Sequence, residues 1–482
     1  MLQCETSMAL FQRPLGASCL LLGVVLAAAC AGPLDPPPAR HVVVISLDTT
    51  RADHFGFMGS ADARTPRTDA LAAESIVLTD VTTVAPTTLA SHTSLFTGRY
   101  PHHHGTPRNG FTVHPDNQML PEILKAEGFH TAGFAGSFAL DSRFDFPQGF
   151  DHYDESFDIR NSPRDGIDQN QRSAARVTDA ALDYLDATGV PDRLFLFAHY
   201  FDAHRPYDPP PEFLDPPDAE SAEPLPSIAD LKQPGRYSPG ERTRHALRYI
   251  RRYAAEISSM DAELGRLFDG LRERGVLDDA ILILTSDHGE TFLEHRELFD
   301  HGTGVYQTTM HALGVIRLPN RALGGTQVAV PASTIDLLPT ALAWLGLAIP
   351  DNVDGVALPL EAEALGARAA GRQFGQATKP IGAIEDDQPW ANLRKARFVR
   401  QGPFKLVQIP YLEREELFHL ASDPDEQHDL LRRPSAQARG IADELRPALE
   451  SWARTADPLP SSFAREQEDD TIRRLRSLGY VR

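Results

Sequence analysis

Three apolar runs in this chain each end in groups that can ligate a metal or move a proton. Asp48 follows His41-Val-Val-Val-Ile-Ser-Leu47, His199 and His204 follow Leu194-Phe-Leu-Phe-Ala198, and Asp287-His288 come soon after Ile281-Leu-Ile-Leu284. Continuous β-branched and apolar runs suit strands buried on both faces of a parallel sheet. Open α/β sheets bind their ligands at the carboxyl ends of such strands. Any one of these polar residues is as readily a turn or a cap. Three strands delivering acids and imidazoles to one edge point instead to a site. A further segment, Thr87-Thr88-Leu-Ala-Ser-His92, sets a hydroxyl ahead of a helix-like run. Free N–H groups and the helix dipole favour an anion or an ionised oxygen there. Ser and Thr are also ordinary N-caps, so Thr88 gains meaning only from its company. Asp48, Asp287, His288 and Thr88 form a mixed oxygen and nitrogen set suited to one divalent cation: Ca, Mn, Mg or Zn. Coordination lowers a hydroxyl's pKa and turns it into a nucleophile.

The elements that must hold these groups alternate. Helical patterns run over Pro121–Glu127, Ala174–Ala187 and from about Glu241 to Arg274, between and after the strand runs. This order predicts an α/β fold, with a mostly parallel central sheet flanked by helices. Residues 209–240, rich in Pro, Asp and Glu, read as a surface excursion, and the apolar stretch 332–347 reads as one helix closing the main domain. A hairpin at Arg397–Gln408, the segment Glu416-Leu-Phe-His-Leu420 and a helix near 436–454 predict a smaller C-terminal α+β subdomain. The expected boundaries are 41–365 for the catalytic domain and 366–482 for the subdomain.

Composition narrows the partners. Among 482 residues, 47 Lys and Arg face 67 Asp and Glu, a net charge of -20. That argues against nucleic acid, whose phosphates are held mainly by Lys and Arg. An anionic substrate must therefore be met by local positive charge, such as a metal. The cysteines are Cys4, Cys19 and Cys30, so the body after residue 30 has no disulfide. Residues 15–29 are uncharged and follow Arg13, too short a run for a membrane span. They end in Ala27-Ala28-Ala29-Cys30, which resembles a bacterial lipoprotein signal over residues 1–30 with Cys30 acylated, followed by a Pro-rich tether at 31–40. The expectation is export to the bacterial periplasm or cell envelope, with the lipid as the chain's membrane contact. An ordinary secretory signal with an incidental cysteine is the alternative.

Five segments in order carry a family resemblance: Leu47-Asp-Thr-Thr-Arg-Ala-Asp-His54, Ser94-Leu-Phe-Thr-Gly-Arg-Tyr-Pro101, Tyr200-Phe-Asp-Ala-His-Arg-Pro-Tyr207, Thr285-Ser-Asp-His-Gly-Glu290 and Glu416-Leu-Phe-His-Leu-Ala-Ser-Asp-Pro-Asp-Glu426. With them the chain resembles the sulfatase family of the alkaline phosphatase superfamily, over nearly all of residues 41–432. The resemblance implies Asp48, Asp287 and His288 as metal ligands and Thr88 at the nucleophile position. It implies His204 as the histidine that contacts the ester oxygens or protonates the leaving group. His301, in Phe299-Asp-His-Gly302, stands where many members have a basic residue over the substrate. Asn109 resembles a substrate-binding asparagine of related phosphonate and phosphodiester hydrolases. His92 is expected beside the equatorial ester oxygens, and His104 as a residue lining the site. His54, His295 and His311 are expected to be structural. Asp202, near His204 and His301, is the candidate ligand for a second metal, as in two-metal relatives, although one metal is expected.

Departures from the family pattern redirect the chemistry. Sulfatases that mature to formylglycine carry Cys or Ser at the nucleophile, Pro two places on and Arg two further. Here those places hold Thr88, Ala90 and His92. A lysine–histidine pair expected near 135–139 is replaced by Ala135-Gly-Ser-Phe-Ala139, and Thr49 stands where a second metal-binding Asp is usual. A Thr nucleophile resembles instead the superfamily's phosphodiesterases and phospho-group transferases. The implied function is a metal-dependent hydrolase of a small-molecule or glycan- or lipid-linked anionic ester, with phosphodiesters or phosphonate esters favoured over sulfate esters. The alternatives are transfer to an alcohol acceptor, ordinary sulfuric ester hydrolysis, or a non-catalytic binding protein. The retained Asp48, Thr88, Asp287, His288 and His204 oppose the last.

Overall fold

The computed structural model describes residues 39–157, 170–214, 224–359, 365, 371–378, 394–463 and 468–478. The expected signal at 1–30, its Cys30 and most of the tether lie outside the described residues. Fifteen strands are described. The first seven are β1 (His41–Leu47), β2 (Ile76–Leu78), β3 (Val81–Thr82), β4 (His130–Phe134), β5 (His152–Asp154), β6 (Leu194–Tyr200) and β7 (Ala280–Ser286). After them come β8 (His311–Ala312), β9 (Gly314–Arg317), β10 (Thr326–Val328), β11 (Ala332–Ser333), β12 (Gln373–Gln376), β13 (Arg397–Gln401), β14 (Phe404–Ile409) and β15 (Arg414–His419). The central sheet has eight strands in the order β10-β2-β9-β7-β1-β6-β4-β5.

The three apolar runs lie side by side at its centre. β1 pairs in parallel with both β6 and β7, His41 opposite Leu194 and Ala280, and Leu47 opposite Tyr200 and Ser286. That register brings all three carboxyl ends to one level. Alternate residues of these strands enter different cores. Val42, Val44, Phe195, Phe197, Ile281 and Ile283 join one, and Val43, Ile45, Leu194, Leu196, Leu282 and Leu284 the other. The second core is roofed by the amphipathic helices Ala174–Thr188 and Pro239–Glu273. The longer of these starts at a capping box, in which Ser238 and Glu241 satisfy each other's backbone N–H groups. β9 runs antiparallel to both β7 and β2, so the sheet is mixed on that side. No helix among the described residues is long and apolar enough to cross a membrane.

The C-terminal part forms a separate antiparallel sheet, β12-β13-β14-β15. The expected hairpin is there, with Arg397 opposite Gln408 and Gln401 opposite Phe404. Period-two burial splits its faces. Val399, Leu406 and Leu417 pack on the Ala436–Arg454 helix, while Phe398, Val407 and Phe418 pack with Val305, Tyr306 and Met310. On the second face lies a buried ion pair, Lys405 Nζ to Glu426 Oε1 at 2.8 Å. Lys405 Nζ also donates to Gln307 Oε1 at 3.2 Å, which ties the sheet to the central body.

One expectation is corrected. Residues 332–347 are not one helix. Ala332–Ser333 pairs with β3, and a 3-10 turn over Thr334–Asp336 leads into a helix at Leu337–Trp344. Ser333 is held out of the helix because its N–H bonds Asp336 Oδ2 at 2.9 Å and its Oγ bonds the Thr82 carbonyl at 3.1 Å. The described part of the excursion at 209–240 lies mostly at the surface. It carries a short helix, Ile228–Lys232, that buries Leu231.

Candidate active site

Thr88 is the first residue of a ten-residue helix, Thr88–Thr97, every residue of which is buried. Thr87 before it is extended, at φ -151° and ψ 146°. Gly98 ends the helix at φ 66°, its N–H closing on Ser94 O at 2.8 Å. A residue with a Cβ would be strained in that conformation and would also meet Val353 Cγ1 at 2.7 Å. The helix is latched to the strand ends. Ser91 Oγ donates to Asp287 O at 2.8 Å, and His92 bridges Thr88 O at 2.7 Å to Ser46 Oγ at 2.8 Å.

At the carboxyl ends of β1 and β7, Asp48, Asp287 and His288 each offer one ligand atom, all within 4.8 Å of one another. Thr88 Oγ1 donates to Asp48 Oδ2 at 3.0 Å. His199 reaches the same oxygen through Nε2 at 3.2 Å, while its Nδ1 accepts from the Gly136 N–H at 3.3 Å. Those partners put the His199 proton on Nε2. Asp287 Oδ1 accepts from Thr49 N at 3.1 Å and His288 N at 2.7 Å. His288 Nδ1 donates to Gly289 O at 2.9 Å, which leaves Nε2 with its lone pair. Three buried atoms then have no hydrogen-bond partner: Asp48 Oδ1, Asp287 Oδ2 and His288 Nε2. Most buried polar atoms in folded proteins are paired. Three orphans converging from two carboxylates and a neutral imidazole fit a divalent cation.

The protonation energetics agree. Burial, against the pull of His288, pushes Asp48 up to about 7. Burial and the Asp48 charge hold Asp287 well above the carboxylate range. Two adjacent carboxylates in a dry site need a cation to ionise together. Burial, then His301, pushes His288 down to about 3, so it is neutral, as a ligand must be. The loop after β1 is strained where it meets the cluster. Thr49, a β-branched residue, sits at φ 48°, which costs about 1–3 kcal/mol. Its N–H to Asp287 and the Tyr253 hydroxyl on Thr49 O at 2.8 Å hold it there.

His204, His288 and His301 gather at one side of the cluster. The His301 ring lies 4.8 Å from that of His288 and 5.4 Å from that of His204. His204 Nδ1 donates to Arg205 O at 2.8 Å, and burial, then His301 and Arg205, push its pKa well down. Asn109 reaches the start of the Thr88–Thr97 helix from another loop: its Oδ1 caps the Leu89 N–H at 2.7 Å, and its buried Nδ2 has no hydrogen-bond partner.

Two expected substrate contacts are given other work. Both ring nitrogens of His92 are committed, to Thr88 O and Ser46 Oγ, so it braces the Thr88–Thr97 helix instead of meeting an ester oxygen. His104 is likewise spent, Nε2 on Ser94 Oγ at 2.9 Å and Nδ1 on the Thr106 N–H at 3.1 Å. Asp202 accepts from the Ala174 N–H at the start of the Ala174–Thr188 helix, and no second cluster of three ligand groups occurs among the described residues. His54 packs edge-on against Tyr253 and Phe292, His295 stacks on Tyr306, and His311 holds Thr79 O. Glu290 and Tyr207 also meet on the His301 side of the site, with Tyr207 Oη donating to Glu290 Oε2 at 3.1 Å. Both stand inside the quoted motifs, but nothing in those motifs shows that they touch.

An α/β sheet with a helix-terminal hydroxyl, two carboxylates and an imidazole at its carboxyl edge fits a metal-dependent ester hydrolase architecture. A model of the family described as Sulfatase matches residues 40–347, and the chain belongs to the sulfatase family, whose enzymes are metal-dependent. An ulvan-active sulfatase of Formosa agariphila is 26% identical over 340 residues, covering 67% of this chain and 64% of that relative's length. The uncharacterized sulfatase YidJ of Escherichia coli is 24% identical over 430 residues, covering 81% of this chain and 83% of its own. Among solved structures, a protein in complex with its substrate D-glucosamine-2-N,6-O-disulfate superposes with a TM-score of 0.71 at 20% identity, covering 87% of this chain and 99% of that one. A phosphonate monoester hydrolase of Agrobacterium radiobacter gives 0.65 at 22% identity, covering 86% and 96%. At these identities the superpositions show the shared fold.

Proposed function

We propose that this sulfatase-family hydrolase cleaves phosphodiesters or phosphonate esters in preference to sulfate esters, with Thr88 as nucleophile. The observation that carries the reading is the Thr88 hydroxyl at a helix N-terminus, 3.0 Å from an Asp48 carboxylate that shares a ligand cluster with Asp287 and His288. A divalent ion held by Asp48, Asp287, His288 and Thr88 would supply Lewis-acid polarisation of the ester and acidify the hydroxyl. Thr88 directs its proton at Asp48 Oδ2 and its lone pairs outward. Its Oγ–P bond forms as the bond from phosphorus to the leaving oxygen breaks. His204 stands neutral in the free site, with its proton on Nδ1. An anionic ester beside it raises its pKa, so that substrate binding itself loads the proton that the leaving oxygen takes. Asn109 Nδ2 and His301 meet the equatorial oxygens. Water then breaks the Oγ–P bond and restores the hydroxyl.

The preference for phosphorus follows from the residue at position 88. A threonine ether oxygen has no second hydroxyl through which a sulfo-adduct could be expelled by collapse, whereas a phospho-threonine yields to water attack at phosphorus. Against a panel of aryl sulfate, phosphate, phosphodiester and phosphonate esters with several divalent ions, the phosphodiester or phosphonate is expected to lead sulfate in kcat/KM by about ten-fold or more, about 1.4 kcal/mol. Aryl sulfates leading the panel would overturn the proposal. The substrate class is an anionic ester on a glycan, lipid or small molecule. Solved relatives in complex with a glucosamine disulfate and with a neocarrahexaose support the glycan arm.

The export reading stays with the proposal. Wild-type protein is expected to partition into detergent with the envelope fraction, and Cys30→Ala protein to leave it. Wild-type protein wholly in the cytoplasmic fraction would reject the anchor.

A further inference from the structure

We infer that Glu290 and Tyr207 form a positioning relay for His301, with Glu290 setting the orientation of the imidazole over the substrate. The inference rests on the assignment of His301 to the ester oxygens, and it adds residues that the reading of the site does not use. Glu290 Oε1 lies 3.3 Å from His301 Nδ1, and Glu290 Oε2 accepts from the Tyr207 hydroxyl at 3.1 Å. All three side chains are buried, with Glu290 at 0%, His301 at 1% and Tyr207 at 3% exposed. The carboxylate therefore spends one oxygen on each neighbour and is screened by little water. A charge-assisted bond in such surroundings is stronger than a neutral one and more directional.

The relay joins side chains from three loops, two of which are also bridged through their backbones at Thr291 and Asp300. Tyr207 belongs to the loop after β6, Glu290 to the loop after β7, and His301 to a third turn beyond it. The Glu290 end is anchored in turn. Its carbonyl accepts from Arg51 Nη1 at 3.3 Å, and Arg51 pairs with Asp53 and Glu294 at 2.7 and 2.8 Å. Aromatic packing fixes the Tyr207 end: its ring meets Tyr253 edge-on at 5.6 Å and lies 5.8 Å from Phe299, two residues before His301. The ring contacts to His204 and His288 place the imidazole but do not by themselves set which nitrogen faces the site. A carboxylate at Nδ1 sets it and leaves Nε2 as the nitrogen directed elsewhere in the site. The same arrangement orients ligand and catalytic histidines in many enzymes, and loss of the orienting group costs about 10–100-fold.

Glu290→Gln keeps an oxygen for Nδ1–H, so it should retain kcat within about three-fold of wild type. Glu290→Leu should lower kcat by about 10–100-fold, with KM and bound metal little changed. The discriminating measurement is a double-mutant cycle with His301→Ala. In the His301→Ala background, Glu290→Leu should cost less than about two-fold. If Glu290→Leu does not fold, Tyr207→Phe, which removes only the donor to Oε2, should lower kcat about three-fold in wild type and not at all in His301→Ala. Additive losses in the cycle, or a Glu290→Gln variant as weak as Glu290→Leu, would overturn the relay. If His301→Ala itself leaves turnover intact, it is the assignment of His301 that fails.

Discussion

Thr88→Ala is expected to lower kcat by about 10³-fold or more, the scale on which enzymes lose turnover when a covalent nucleophile is removed. The protein should nonetheless fold and retain its divalent ion. Alanine is the best helix former, and position 88 opens a helix whose remaining residues are all buried. The local cost includes the hydrogen bond to Asp48 Oδ2, about 1 kcal/mol. Asp48, Asp287 and His288 still converge within 4.8 Å without Thr88, so metal content should survive. Thr88→Ser keeps the hydroxyl and should keep most of the rate. Because Ala90 and His92 stand where the maturation pattern needs Pro and Arg, the intact mass of mature protein should show an unmodified threonine. Near-normal turnover in Thr88→Ala, or an aldehyde at residue 88, would refute its role.

The sequence exposes the part of this architecture that comes from continuous burial. β1, β6 and β7 are buried along their whole length, so their apolar runs need no partner to be recognised, and the polar residues at their ends stand out. Strands such as β4 (His130-Thr-Ala-Gly-Phe134) and β9 (Gly314-Val-Ile-Arg317) escaped notice for the opposite reason. They are short and interrupted by polar residues or glycine, and the sheet alone supplies their pairing. Arg317 shows how far tertiary context can override composition. It is fully buried in a central strand because its guanidinium finds Leu277 O at 2.6 Å and Asp278 Oδ1 at 2.7 Å. The site divides in the same way. Residue type and strand position mark Asp48, Asp287 and His288 as candidate ligands, because a ligand must be one of few side chains, whereas Thr88 stands out only beside them. Bracing and contacting histidines are indistinguishable by type, and only partners such as Ser46 Oγ for His92 and Ser94 Oγ for His104 separate them.

Asp287→Asn should abolish turnover and metal binding yet make the metal-free protein more stable at neutral pH. Asp287 Oδ1 accepts from the Thr49 and His288 N–H groups, and an asparagine oxygen can accept both. What the substitution removes is a charge buried beside Asp48. Burial raises both carboxyls in the folded protein, Asp48 to about 7, from an ordinary value of 3.8. A group whose folded pKa is raised binds its proton more tightly in the native state. Its stabilising contribution is therefore present below about pH 4 and is lost as pH rises through the raised value, about 7 for Asp48. In EDTA, wild type and Asp287→Asn should melt at similar temperatures near pH 4, and the variant should melt higher at pH 8. Saturating divalent ion should reverse that order, because binding at about 100 times Kd adds about 2.7 kcal/mol to a protein that holds the ion. A metal-free variant that melts below wild type at pH 8, or equal stabilisation of both proteins by the ion, would contradict the assignment. The paired carboxylates would then be structural, and the strain held at Thr49 would have no functional return. If the order reverses as expected, the acids that weaken the empty fold are the ones that bind its cation, a trade of stability for function made at the residues that carry the chemistry.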